Sequence, residues 1–294
     1  MALKKSPSRI LFEVFLYGFF VLVALGCVYP FWVVVVTSIL PYDVYIKNPM
    51  LPIPRDFSIN AYKLVFLQED ILRAVGVSVY ITVFGTLLSL LVTTATAYVL
   101  SKRYLKGQRL FLLLFFFTML FEGGIIPLYF VARSLGIVNT LWALMLPLLI
   151  NTFFLLIMRS FFLSFPDSLE ESAKIEGAND ISILLRIVMP LSKAVIAVIG
   201  LFYAVERWND FFYALMFINR EKLQPLQLLV YSLISPGSGA SFAQITETYL
   251  QSMGVVLETI KMAAVVIAVV PILIVYPFIQ RHFTKGILIG SIKG

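Results

Sequence analysis

Long unbroken apolar runs dominate the chain, separated by short polar stretches. They fall at about 11–39, 74–100, 110–131, 138–160, 191–218 and 260–281. A helix needs ~20 apolar residues to cross ~30 Å of hydrocarbon, and each run is long enough. The runs are continuous rather than alternating, which favours helices over barrel strands. Pro30, Pro127, Pro147, Pro271 and Pro277 lie inside them. Spanning helices tolerate proline where neighbours satisfy the freed backbone groups. The pattern predicts an all-α, polytopic membrane protein with six transmembrane helices, forming one transmembrane domain over 1–294.

Composition agrees. Of 294 residues, 60% are hydrophobic and 13% charged, against about 45–50% and about 25% in soluble domains. Too little polar surface remains for a water-soluble globule, which excludes a cytosolic enzyme, a disordered chain or a disulfide scaffold. The single cysteine, Cys27, permits no internal disulfide. Its setting, Ala24-Leu25-Gly26-Cys27, only loosely matches a lipoprotein box. The apolar run continues past it, so the first segment is expected to stay as an anchor, with Cys27 a small buried apolar residue.

Charge placement orients the spans. Lys4, Lys5 and Arg9, the group Lys102, Arg103, Lys106 and Arg109, then Arg159, Lys174, Arg186 and Lys193, and finally Arg281, Lys285 and Lys293 share one side. Fewer basic residues lie opposite: Lys47, Arg55, Lys63, Arg73, Arg133, Arg220, Lys222 and Lys261. The positive-inside rule makes both termini cytoplasmic. The net charge of +7 reflects this asymmetry rather than a clustered nucleic-acid surface.

Catalytic chemistry finds no footing. One histidine, His282, and one cysteine cannot build a zinc site, and no other metal constellation is visible. No serine–histidine–aspartate set can be argued. No phosphate-binding loop of the Gly-x-x-x-x-Gly-Lys-Ser/Thr kind occurs.

Two external segments are long. Residues 40–73 carry Pro41, Pro49, Pro52 and Pro54 and read as a stiff extended loop. Residues 219–259 contain Ser235-Pro236-Gly237-Ser238-Gly239-Ala240-Ser241, which reads as a flexible tip.

The segment between the fourth and fifth spans is unusual. Pro166 stops one helix, and Ser168 with Glu171 has capping-box spacing. A short helix is expected over about 169–176, within a unit of about 168–178, ended by Gly177. Asn179 and Asp180 then cap a helix running to Pro190 along the membrane surface. This segment is too polar to insert; by composition it suits a plain structured loop at least as well as a helix that fills a groove on a partner.

These residues resemble a known family. Glu171-Ser172-Ala173, three residues, Gly177, nine residues, Ile187, one residue, then Met189-Pro190 match the EAA motif of ABC importer permeases. Ser172 stands for alanine, Met189 for leucine, and Glu176 for the aspartate common before the glycine. Trp208-Asn209-Asp210-Phe211 resembles the fifth-span signature of oligosaccharide permeases. The ending from Gln280 to Gly286, then Gly290 to Gly294, is similar to the tail of the MalG and LplC type.

The resemblance implies a type I ABC importer fold in a bacterial inner membrane. The chain would be one permease subunit of a binding-protein-dependent oligosaccharide importer. It implies a second homologous permease, two cytoplasmic ATPases that hold ATP and magnesium, and an extracytoplasmic solute-binding protein. The chain itself would bind no cofactor and catalyse no reaction. It also implies a coupling helix that docks on the ATPase through Glu171, Ser172, Ala173, Glu176, Gly177 and Ala178. Glu171 would meet a basic group, and the tip around Pro236, Gly237, Ser238 and Gly239 would touch the binding protein. The first external loop looks closer to the LplC branch, whose importers include those for uronate oligosaccharides from pectin or alginate; neutral oligosaccharides are the alternative.

Charges inside the fifth span stand out, because Asp or Arg at a bilayer centre costs ~2.5–3.5 kcal/mol on insertion scales. Tyr203, Glu206, Arg207, Trp208, Asn209, Asp210 and Tyr213 offer the donors, acceptors and aromatic faces that sugars bind. They equally suit an interhelical pairing cluster holding two permeases together. Glu122, beside Gly123-Gly124, reads as structural. The rival class is an ion-coupled secondary transporter of a small polar solute, marked by inverted repeats; no convincing repeat is visible. A membrane-embedded enzyme would need an acid–base pair, and only the 206–210 cluster could supply one, with no nucleophile beside it.

Overall fold

The computed structural model describes residues 7–49, 53–54, 56–235 and 247–290, with side chains of 8–49, 53–54, 56–235 and 250–277. In chain order the helices are α1 (Pro7–Ser38), α2 (Tyr42–Lys47), α3 (Asn60–Leu67), α4 (Glu69–Ser101), α5 (Gln108–Leu120), α6 (Ile125–Ser134) and α7 (Trp142–Met145). There follow α8 (Thr152–Phe162), α9 (Asp167–Ile175), α10 (Asp180–Leu191), α11 (Lys193–Asn209) and α12 (Phe212–Phe217). Last come α13 (Leu226–Ile234), α14 (Glu247–Ser252) and α15 (Leu257–Gly290). No strand occurs among the described residues.

Three described helices can each cross a bilayer by length and composition: Ser8–Ser38, Glu69–Ser101 and Leu257–Pro277. Three further candidates are bent pairs, α5 with α6 at 118°, α8 with α9 at 73°, and α10 with α11 at 85°. The apolar runs over 110–131, 138–160 and 191–218 are therefore not straight rods. Gly124, at φ 83°, breaks the first run after Phe121. In the second, one turn of α7 ends just before Pro147, and the backbone is irregular until Asn151 caps α8. In the third, Asp210 turns the chain out of α11. Within α10 the turn Leu184–Val188 is π-helical, next to Pro190, which cannot donate a helix hydrogen bond.

The chain divides into two compact units. One comprises residues 1–68 and 232–269, the other 69–231 and 270–294, with α15 contributing to both. In the first unit, residues 40–73 are not the extended loop their prolines suggest, because α2 and α3 lie within them. Ala61, Leu64 and Val65 give α3 a buried face at i, i+3, i+4 spacing. The Ser38 hydroxyl meets that of Tyr62 at 2.7 Å, and Asn60 Nδ2 donates to the Met253 carbonyl at 3.0 Å. Most of α1 is exposed, Cys27 included. An all-round apolar helix suits lipid contact, so this cysteine is not buried as its surroundings in sequence suggest.

In the second unit α4 is the central column. Gly85, Ser89, Thr93 and Ala97 recur every fourth residue and are all buried, a stripe of small side chains that lets helices approach closely. α8 and α11 pack along it. A cluster around Leu155, Met158, Ile183, Ile199 and Tyr203 fills one part of the core, and a second surrounds Phe217, Met145 and Ile81. Asn139, at φ 61°, pins the turn after α6 to the end of α12: its amide donates to the Phe217 carbonyl at 2.9 Å, and its Oδ1 accepts from the Asn219 amide at 2.6 Å.

Candidate functional site: a polar break and a surface helix

α11 divides the charged cluster by helical geometry. Arg207 is 4% exposed and points at the irregular segment after α7. Its Nη1 donates to the Leu144 carbonyl at 3.2 Å. Its Nη2 donates to the carbonyls of Met145 at 3.2 Å and Leu148 at 3.1 Å, and to Ser89 Oγ at 2.7 Å. Helix ends leave carbonyls without intrahelical partners, and in hydrocarbon no water replaces those partners. The guanidinium fills that role with five donors in a rigid plane, against the three rotating donors of an ammonium. Gly85 makes room: a Cβ there would stand 2.8 Å from the Arg207 side chain.

Tyr203 is also engaged inside the layer. Its hydroxyl lies 2.8 Å from Thr93 Oγ1 and accepts from the Asn151 amide at 2.9 Å. Trp208 is buried, and Tyr213 stacks on Phe217 with ring centroids 6.0 Å apart. Asp210 Oδ1 accepts from the Tyr213 amide at 3.1 Å, holding the start of α12.

Glu206 and Asn209, three residues apart, share an exposed face. Glu206 Oε1 accepts from Asn151 Nδ2 at 3.2 Å. Asn151 also caps α8, its Oδ1 accepting from the amides of Phe153 at 3.0 Å and Phe154 at 3.4 Å. The polar face is thus Asn151, Glu206 and Asn209, a set of donors and acceptors suited to hydroxylated solutes. Sequence reasoning missed Asn151, although an Asn closing an apolar run before Thr152 carries an N-cap signal.

The second feature is α9. It begins at Asp167 after Pro166, so Ser168 lies inside the helix and the expected Ser168–Glu171 capping box does not form. Acidic Asp167 and Glu170 complement its first turn instead. Its end matches expectation in detail. Gly177 sits at φ 84°, its amide donates to the Lys174 carbonyl at 3.0 Å, and the Ala178 amide donates to the Ala173 carbonyl at 2.9 Å. That pair of bonds is the Schellman stop, which requires a left-handed residue. Asn179 Oδ1 then accepts from the Ser182 amide at 2.8 Å.

Of the sequence-derived coupling residues, Ala173 alone is buried, against the cluster containing Tyr98 and Ile183. Ala178 is half-buried, while Glu171, Ser172, Glu176 and Gly177 are exposed. Beside them Ile175 is 88% and Ile181 68% exposed, two apolar side chains on an otherwise polar ridge. Pro236, Gly237, Ser238 and Gly239 lie outside the described residues. No group of three or more His, Cys, Asp or Glu able to hold a metal occurs among the described residues.

The family model for the inner membrane component of binding-protein-dependent transport systems matches residues 109–289, which contain both features. The chain belongs to this family. It is a permease subunit of an ABC transporter, a non-enzymatic transport component of the inner membrane.

The permease is 43% identical to the polygalacturonan/rhamnogalacturonan transport system permease protein YtcP of Bacillus subtilis, over 97% of this chain and 99% of that one. It is 48% identical to Protein LplC of the same organism, over 82% and 81% of the two chains. Among solved structures, a bacterial ABC transporter involved in the import of the acidic polysaccharide alginate aligns with a TM-score of 0.88 and 30% identity, over 95% of this permease and 99% of that chain. These likenesses carry the type I importer fold and set aside the secondary-transporter reading.

Proposed function

We propose that this permease forms half the translocation pathway of an ATP-driven importer of acidic oligosaccharides, uronate-rich fragments of the pectin or alginate kind. The observation that carries the proposal is near full-length similarity to a permease named for polygalacturonan and rhamnogalacturonan, joined by the alginate importer's shared fold. The partners are a second homologous permease, two cytoplasmic ATPases that hold ATP and magnesium, and an external solute-binding protein. Both termini are cytoplasmic, as the lysine and arginine asymmetry requires. That orientation puts α9 on the ATPase side. There the ridge of Glu171, Ser172, Glu176 and Gly177, with Ile175 and Ile181 at its edge, meets the ATPase, while Ala173 and Ala178 seat it on the permease.

Glu206, Asn209 and Asn151 face the pathway. Tyr203, Arg207, Trp208, Asp210 and Tyr213 hold the broken helices that present them. The 236–239 tip reaches the binding protein.

The experiment is reconstitution of the permease with its co-encoded partners in liposomes, followed by uptake of labelled oligogalacturonate, oligoalginate and a neutral oligosaccharide. ATP-dependent accumulation of a uronate supports the proposal. Accumulation of the neutral sugar alone replaces the substrate class, and uptake by this chain alone without ATP removes the importer reading.

A further inference from the structure

The Lys102 end of α4 gathers side chains from three other segments. The Leu100 carbonyl accepts from Arg159 Nε of α8 at 2.8 Å and from Gln108 Nε2 of α5 at 2.6 Å. Tyr98 is 4% exposed and meets Phe162 of α8 edge-on, with ring centroids 6.4 Å apart. Lys102 is 8% exposed, its ammonium stands 3.7 Å from the centre of the Tyr98 ring, and it is ion-paired with Glu170 in the first turn of α9. A lysine is rarely buried unless paired, and breaking a buried pair leaves an uncompensated charge.

The other ion pairs of α9 are of a different kind. Arg103 and Asp167 are 4.0 Å apart, with side chains 79% and 78% exposed. Lys174 and Asp180 are 3.3 Å apart and also open to water. Exposed pairs contribute little to rigidity. Meanwhile α9 leaves α8 through a 73° bend around Phe165-Pro166, and Pro166 donates no backbone hydrogen bond there. Ala173 seats α9 on the core, and Lys174 reaches the Tyr104 hydroxyl at 3.4 Å from the exposed side.

From this geometry we infer that the Lys102–Glu170 pair, seated on Tyr98, is a strut that fixes the angle between α9 and α4. It thereby carries movement of α9 to the polar face at Asn151 and Glu206. With the strut in place, α4, α8 and α9 form a braced triangle, because Arg159 already ties α8 to α4. From α4 the path runs through Thr93 to Tyr203 and through Tyr203 to the Asn151 amide. Lys102 and Glu170 are positioning residues and touch no substrate. Remove the strut, and α9 can move on its bend while the spans stay still.

The inference rests on the proposed importer function, and two readouts keep the two apart. The variants are Lys102→Glu, Glu170→Lys and the charge-exchanged double variant, in the full reconstituted complex. The first readout is sugar transported per ATP hydrolysed. Each single variant lowers this ratio by about five-fold or more, with ATP hydrolysis retained, and the double variant returns to within about two-fold of wild type. A structural defect alone lowers transport and hydrolysis together and leaves the ratio unchanged, which overturns the strut. The second readout is amide hydrogen exchange over 166–178 in the purified permease, which needs no sugar or ATP. Exchange is faster in the singles and restored in the double variant. Wild-type exchange in the singles, or no restoration in the double, overturns the strut even if the substrate has been misidentified. A wild-type complex that transports no sugar, beside variants whose exchange behaves as expected, overturns the functional reading alone.

Discussion

At the scale of single residues, two neighbours on α11 have opposite tasks. Arg207 joins the helix layer through the carbonyls of Leu144, Met145 and Leu148. Glu206 stays on the open face with Asn151. Arg207→Leu leaves the Leu144 and Met145 carbonyls without their donor, while Leu148 keeps only the 3.4 Å bond from Ser89 Oγ; an unmatched buried acceptor costs about 1–3 kcal/mol. The apparent Tm in detergent is expected to fall by roughly 5–10 °C, with loss of folded yield on fluorescence-detected size exclusion. Glu206→Gln removes a charge from an exposed carboxylate and is expected to leave that Tm within about 2 °C while lowering transport in the reconstituted complex. If the two variants behave alike in the melting assay, the division of roles is wrong. Gly85→Val puts side-chain atoms where the guanidinium now lies and reproduces the Arg207→Leu defect.

At the scale of elements, α9 depends on its glycine stop. No heavy atom stands within 4 Å of a Cβ built at Gly177, so a substitution meets no clash within the permease. The cost is conformational: φ 84° is a left-handed geometry, unfavourable by about 1–2 kcal/mol for other residues and less so for asparagine. Gly177→Asn is therefore expected to keep most of the transport rate, and Gly177→Val to lose it, although both add volume at the same point. Uptake assays on the two variants check this. Equal loss in both would point to steric exclusion at the ATPase rather than to the backbone.

At the scale of the whole molecule, orientation and binding-protein delivery are open to direct measurement. In a Cys27→Ser background the chain has no other cysteine, so introduced thiols report cleanly. Glu176→Cys is expected to react with a membrane-impermeant maleimide only in inverted vesicles, and Lys222→Cys only in right-side-out ones. The reverse pattern would turn the molecule over. Shortening 235–241 is expected to slow sugar delivery without changing co-purification of the partner chains. Wild-type uptake by that deletion would remove the tip from the contact.

An all-α membrane chain, the polar surface helix with its glycine stop, and the permease family are legible in the amino-acid order alone. These are local or compositional properties: apolar run length, the EAA spacing, and a glycine where only a left-handed residue can end α9. The remaining features arise only from packing. Nothing in the run Leu144 to Leu148 foretells that an arginine about sixty positions later will bind its carbonyls. Nor does the turn after α4 reveal that Lys102, alone among its basic residues, is buried on Tyr98 against Glu170. The same motif letters in 203–213 are divided between core and open face by the 3.6-residue helical turn and by what packs on each side. Partnerships across such distances depend on which faces meet, and helices choose their faces only when they pack.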